Sequence, residues 1–88
     1  MKIPNIKKWQ IIEITWLDSC ALSGWERDNI SYEKEDLLHK TIGYFLKKTD
    51  WSIAVVQSRK NIVKEKGTSI NALMEIPIVA ITHLKIIK

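Results

Sequence analysis

Chemistry at a protein site needs a nucleophile, a base, a metal ligand set or a phosphate cradle, and this chain of 88 residues offers few of these. Its soft metal ligands are Cys20, His39 and His83. None forms a CxxC, HxxxH or CxxH pair, the spacing that lets one turn present two ligands to zinc. Cys20 could act as a nucleophile only with a distant histidine as base and Asp18 to orient it. The plainer reading is a lone thiol and two surface histidines. The carboxylates Glu33, Glu35 and Asp36 are clustered. Acids in the first turn of a helix are the ordinary explanation, because they complement its positive end. The glycines at 24, 43 and 67 are scattered and build no phosphate loop. The sequence therefore predicts a non-enzymatic protein with no catalytic residues, no metal and no cofactor.

Binding is better provided for. Trp9, Trp16, Trp25 and Trp51 are many tryptophans for so short a chain, and tryptophan is enriched at binding surfaces. Trp16 continues the apolar face of Ile12 and Ile14 and reads as core. Trp51 follows a turn, where an aromatic commonly packs across a hairpin. Trp25 lies in a loop beside the charged run Glu26-Arg27-Asp28 and is the better candidate for exposed stacking or for plugging one barrel end. Arg59, Lys60, Lys64 and Lys66 form the densest basic patch, diluted by Glu65. A solvated loop is the bland reading; phosphate contact is the functional one. If Trp25 or Tyr44 lies beside that patch, ring and cation together make a site for a nucleotide or a single strand. The candidate ligand-binding set is thus Trp25, Tyr44, Arg59, Lys60, Lys64 and Lys66.

Five strands must position these residues. Period-2 alternation marks Gln10–Asp18, with Ile12, Ile14 and Trp16 on one face. Thr41–Lys48 follows, with Ile42, Tyr44 and Leu46 on one face and Gly43 at a bend or close approach. Lys48-Thr49-Asp50 turns the chain into Trp51–Arg59, an antiparallel hairpin. A basic loop spans Lys60–Ser69. Ile70–Ile76, a 3-10 turn at Pro77–Ala80 and Ile81–Ile87 complete the chain. Between the first two strands, Tyr32–His39 predicts one or two helical turns with Ser31 as N-cap. Residues 1–9 read as a basic lead-in and residues 10–88 as a single domain. Strands this short favour a small closed barrel, since closure removes sticky edges.

Composition sets the remaining expectations. The net charge of +4 favours an anionic partner. One cysteine forbids an intrachain disulfide, and no apolar run approaches a membrane span, so a soluble cytoplasmic protein is expected. A core this small makes a homo-oligomer plausible.

Several segments together resemble a group of short bacteriophage accessory proteins. Trp16-Leu17-Asp18-Ser19, then Ser23-Gly24-Trp25, is similar to their opening strand end and loop tryptophan. Thr41-Ile42-Gly43-Tyr44-Phe45-Leu46 and Trp51–Ser58 are similar to their central strands. Ile76-Pro77 followed by Ile81, Leu84 and Ile87 resembles their close, although Ile78 and Val79 replace the usual basic or glycine residues. The resemblance implies a mainly β protein, a five-stranded SH3-like or Sm-like barrel with a short helical insertion after strand 1, working in the host cell. The expected function is a phage accessory binder that sequesters a nucleotide-type signal or blocks a host protein. A nucleic-acid-binding module and a virion or assembly component are the alternatives.

Overall fold

A computed structural model of the protein describes residues 1–18, 37–61 and 68–88. The chain is mainly β. Its strands are β1 (Ile11–Leu17), β2 (Leu38–Lys48), β3 (Ser52–Asn61), β4 (Thr68–Pro77) and β5 (Ile81–Ile86), with a 3-10 turn at Ile78–Ala80 between the last two. All neighbours are antiparallel, and the sheet order is β4-β3-β2-β1-β5.

The expected barrel is not closed. β4 and β5 are consecutive in the chain, yet they form the two outer edges of one open sheet. β4 is committed to β3 along its length, from Asn61↔Thr68 to Ser52↔Pro77. Pro77 has no N–H to donate where a ladder between β4 and β5 would have to begin. Ala72, further back along β4, has φ 59, and the register with β3 is the same on both sides of it.

The expected helical insertion is not seen among the described residues. Residues 19–36, and with them Ser31 and most of the predicted turn, lie outside the described residues. Leu38 and His39, placed in that turn by the sequence, belong to β2 and pair with Leu17 and Trp16. The basic loop is likewise shorter than expected. Lys60 lies in β3 and Ser69 in β4, paired with each other.

The core lies on one face of the sheet. Ile12 and Ile14 from β1, Phe45 from β2, Ile53 and Val55 from β3, Ile76 and Ile81 are buried together. Trp16 packs against this cluster as its sequence position suggests, and its indole N–H donates to Thr41 Oγ1 at 2.9 Å. Ile3 and Ile6 of the basic lead-in also pack there. On β2 the alternation settles on the face opposite to the one expected. Gly43 and Phe45 are buried, while Ile42 is 50% exposed. From Ser52 to Val56, β3 is buried on both faces, because its outward residues Ala54 and Val56 are small and flanked by Lys47, Glu75, Tyr44 and Leu73.

β2 serves two neighbours in turn. Its first part, to Tyr44, pairs with β1, and its last part, from Tyr44, pairs with β3. At the changeover β2 and β3 approach so closely that a Cβ on Gly43 would lie 2.8 Å from the Val56 carbonyl oxygen. Gln57 Nε2 donates to the Ile42 carbonyl at 2.9 Å beside that crossing. The hairpin beyond it is tied by Thr49, whose Oγ1 accepts from the Ser52 amide at 3.0 Å while its own amide donates to the Ser52 carbonyl at 2.9 Å. That side-chain closure serves the Asp50-Trp51 turn, where neither residue adopts the left-handed backbone usual in a two-residue hairpin. Trp51, expected to pack across the hairpin, is 60% exposed at its tip.

Because the obstacle facing Gly43 is backbone, it cannot move aside like a side chain. Gly43→Ala is expected to destabilise the fold by about 1–3 kcal/mol, the range for an overpacked site. Urea unfolding followed by circular dichroism measures this; an unchanged midpoint would contradict the close approach.

Candidate functional site

The β2 crossing also positions the most distinctive side-chain cluster. Tyr44 pairs with Ile11 on one side and Val56 on the other, so it sits where three strands meet. Arg59 lies further along β3, and its guanidinium carbon is 5.1 Å from the Tyr44 ring centroid. The same carbon lies 4.7 Å over the ring of Trp9. Lys8 Nζ is 5.0 Å from the Trp9 centroid. One guanidinium thus contacts two rings, and one of those rings meets a second cation. Each such contact contributes about 0.5–1 kcal/mol at an exposed site.

Trp9 reaches this position at a conformational cost. The Gln10 amide donates to the Lys7 carbonyl at 3.1 Å, closing a turn over Lys7–Gln10. Trp9 is the third residue of that turn and has φ 76, a left-handed conformation for which such turns use glycine or asparagine. The Trp9 amide then donates to the Phe45 carbonyl at 2.7 Å, and the Phe45 amide to the Gln10 carbonyl at 2.8 Å. Two residues therefore oppose one, a bulge whose first residue is normally glycine. A left-handed non-glycine residue costs about 1–2 kcal/mol. Strained residues concentrate at functional sites, where the surrounding structure holds them.

Arg59 also lines a shallow recess of about 170 Å³, together with Ser58, Lys60, Ser69, Ile70 and Asn71. Arg59 pairs across the strands with Ile70, and Lys60 with Ser69. Among the described residues, His39 Nε2 lies 3.6 Å from Asp18 Oδ2; no carboxylate there pairs with Lys8, Arg59 or Lys60. Ring contacts engage the faces of a guanidinium and leave its in-plane N–H donors free for a carboxylate or phosphate. The cluster is therefore equipped to hold an anionic group.

Of the residues selected from the sequence, the structure brings together Tyr44, Arg59 and Lys60. Trp25, Lys64 and Lys66 lie outside the described residues. Trp9 and Lys8 were missed, because the basic lead-in carried no strand pattern. A tryptophan next to two lysines just before an apolar strand was the available signal.

Other groups are less well assembled. His39 faces the Trp16 ring at a centroid distance of 5.4 Å as well as Asp18. His83 Nδ1 lies 3.4 Å from Thr82 Oγ1. Cys20 is outside the described residues, and no group of three metal-ligating side chains occurs among the described ones. A wider recess of about 680 Å³ lies beside β1, with Glu13, Thr15, Lys40 and Lys85 among its lining residues. It mixes charges of both signs, and the ring in its lining is the His83 imidazole. Among the described residues no helix is long and apolar enough to cross a membrane. No family model, curated protein or solved structure matches this chain.

The strain at Trp9 can be measured apart from any ligand. Trp9→Gly and Trp9→Ala lose the same ring, but only glycine adopts φ 76 without penalty. Trp9→Gly is expected to be more stable than Trp9→Ala by about 1 kcal/mol. Equal unfolding midpoints for the two variants would show that the turn stores no strain.

Proposed function

We propose that this protein is a non-catalytic binding module for a phosphate-bearing, nucleotide-type ligand. The observation that carries the reading is Arg59, placed against Trp9 and Tyr44 with Lys8 and Lys60 nearby and no carboxylate partner among the described residues. Ordering a long cationic side chain normally costs entropy on binding. Here the rings limit its freedom beforehand, so less is lost when the anion arrives. The guanidinium supplies two parallel donors to a phosphate, and Lys8 and Lys60 add charge. Ser58, Ser69 and Asn71 in the adjoining recess offer polar contacts to the rest of the ligand. A base could stack on whichever ring face the cations leave open.

The phage-like sequence pattern gives this activity a context: an accessory protein in the host cytoplasm that removes a nucleotide signal from circulation. A second reading, nucleic-acid binding, draws on the same cations, because phosphate contacts without base readout suit a polyanion. Blocking a host protein and a place in the virion are readings that no particular geometry favours.

Isothermal titration against mono-, cyclic and short oligonucleotides, with single-stranded DNA and RNA alongside, separates the two. A signal binder saturates at one ligand per site with modest salt dependence. A nucleic-acid module prefers the longer strands and weakens steeply as salt rises. Arg59→Ala is expected to weaken binding by about 10- to 100-fold, the worth of a charge-assisted hydrogen bond. Arg59→Lys keeps the charge but loses the planar donors, and restores only part of that loss. Absence of binding by every nucleotide and strand, or binding indifferent to Arg59→Ala, would end this reading.

A further inference from the structure

The two free edges of the sheet differ in chemistry, and the difference makes them complementary. β4 carries a single charged side chain, Glu75, between exposed Leu73 and Met74 on one side and Ile76-Pro77 on the other. Leu73 is 54% and Met74 40% exposed. β5 carries His83 and Lys85 and no acid, and it leads into Ile86 and Ile87, 36% and 47% exposed. Among the described residues, neither outer edge has a pairing partner. Sheet edges are ordinarily protected by lysines, by proline or by a kink. Ala72 in β4 has a left-handed φ of 59, but the stretch Leu73–Pro77 beyond it keeps its register with β3, has Pro77 at its end and carries no lysine.

We propose that the β4 edge of one copy pairs with the β5 edge of a second copy, Glu75 of one lying among His83 and Lys85 of the other. Charge selects this pairing over the alternatives. Joining β4 to β4 over Leu73–Pro77 sets Glu75 against Glu75. Joining β5 to β5 gathers two copies of His83 and Lys85 with no acid between them. Like charges directly opposed across strands are destabilising, and opposite ones are stabilising. The mixed pairing also brings Leu73 and Met74 of one copy to the edge that carries Ile86 and Ile87 of the other. A foreign peptide has no comparable claim, because the chain's own edges already match in apolarity and charge. The contact is heterologous, so copies add head to tail and form a ring if the rotation closes. This inference is independent of the ligand reading, since Arg59 and Trp9 take no part in it.

Light scattering coupled to size-exclusion chromatography, over a concentration series of the full chain, tests it. The expected result is an assembly larger than a monomer. Glu75→Lys and Lys85→Glu each weaken association by about tenfold, and the double reversal E75K/K85E recovers it. Circular dichroism confirms that each variant is folded, and Leu73→Lys, at an exposed position, is the second disrupting variant should a reversal fail to fold. A monomer at every concentration overturns the inference. So does an assembly that both single reversals leave intact, or a double reversal that recovers nothing.

Discussion

The close approach of β2 to β3 at Gly43 is the constraint on which the rest of the structure depends. A sheet of five strands with one buried face can enclose a core only by curving. The tight backbone contact at Gly43 lies where β2 passes from β1 to β3. The Val56 carbonyl occupies the space that any side chain at position 43 would need. One residue later, Tyr44 is paired on both sides, and the register of β2 with β3 then shifts between Phe45 and Lys47. The buried Phe45 ring and the Trp9 backbone bonds both belong to this short stretch. Loss of the glycine would therefore disturb core, hairpin and cation–ring cluster together.

The cluster shows how a small protein can hold a charge ready without a carboxylate. Burying Arg59 against an acid would satisfy it and remove it from use. Aromatic faces do otherwise: they restrain the guanidinium and leave its hydrogen-bonding edge free. The cost appears as the left-handed Trp9, which is of the same order as the cation–ring contacts that the ring makes. Those contacts alone do not clearly outweigh the strain. The bulge bonds to Phe45 and the packing of Ile3 and Ile6 on the core hold the segment in place. What the sequence marks as a lead-in is thus a structural arm that delivers one ring.

Much of the fold was legible because strand signals are local. The five strands, the 3-10 turn at Pro77 and the place of Trp16 follow from alternation, turn chemistry and β-branched content. The side of β2 that faces inward did not follow. Ile42, Tyr44 and Leu46 alternate as convincingly as Gly43 and Phe45, and only the neighbouring backbone decides that the glycine must lie inside. Helix and strand were confused at Leu38 and His39 for the same reason: a few residues carry too little periodicity, and pairing with β1 prevails over local preference. Barrel closure is a question of which distant edges meet, and that leaves no mark on any single strand. At the site, Arg59 and Tyr44 were legible as a basic residue and a ring. Trp9 was not, because its position depends on a turn that its residue type disfavours.

The open sheet and the strained arm share one energetic consequence. A domain of this size has little stability to spare, and this one, among the described residues, leaves two edges unpaired while keeping a tryptophan in an unfavourable backbone conformation. Whatever binds only the folded chain stabilises it by mass action. An anion on Arg59 would favour the state in which Trp9 is held, and a partner strand on an edge would favour the intact sheet. Fold and occupancy are then coupled through β2, since the arm is bonded to Phe45 and β2 lies at the middle of the sheet order. The features that limit the stability of the isolated chain are thus the places where a ligand or a second chain would add to it most directly.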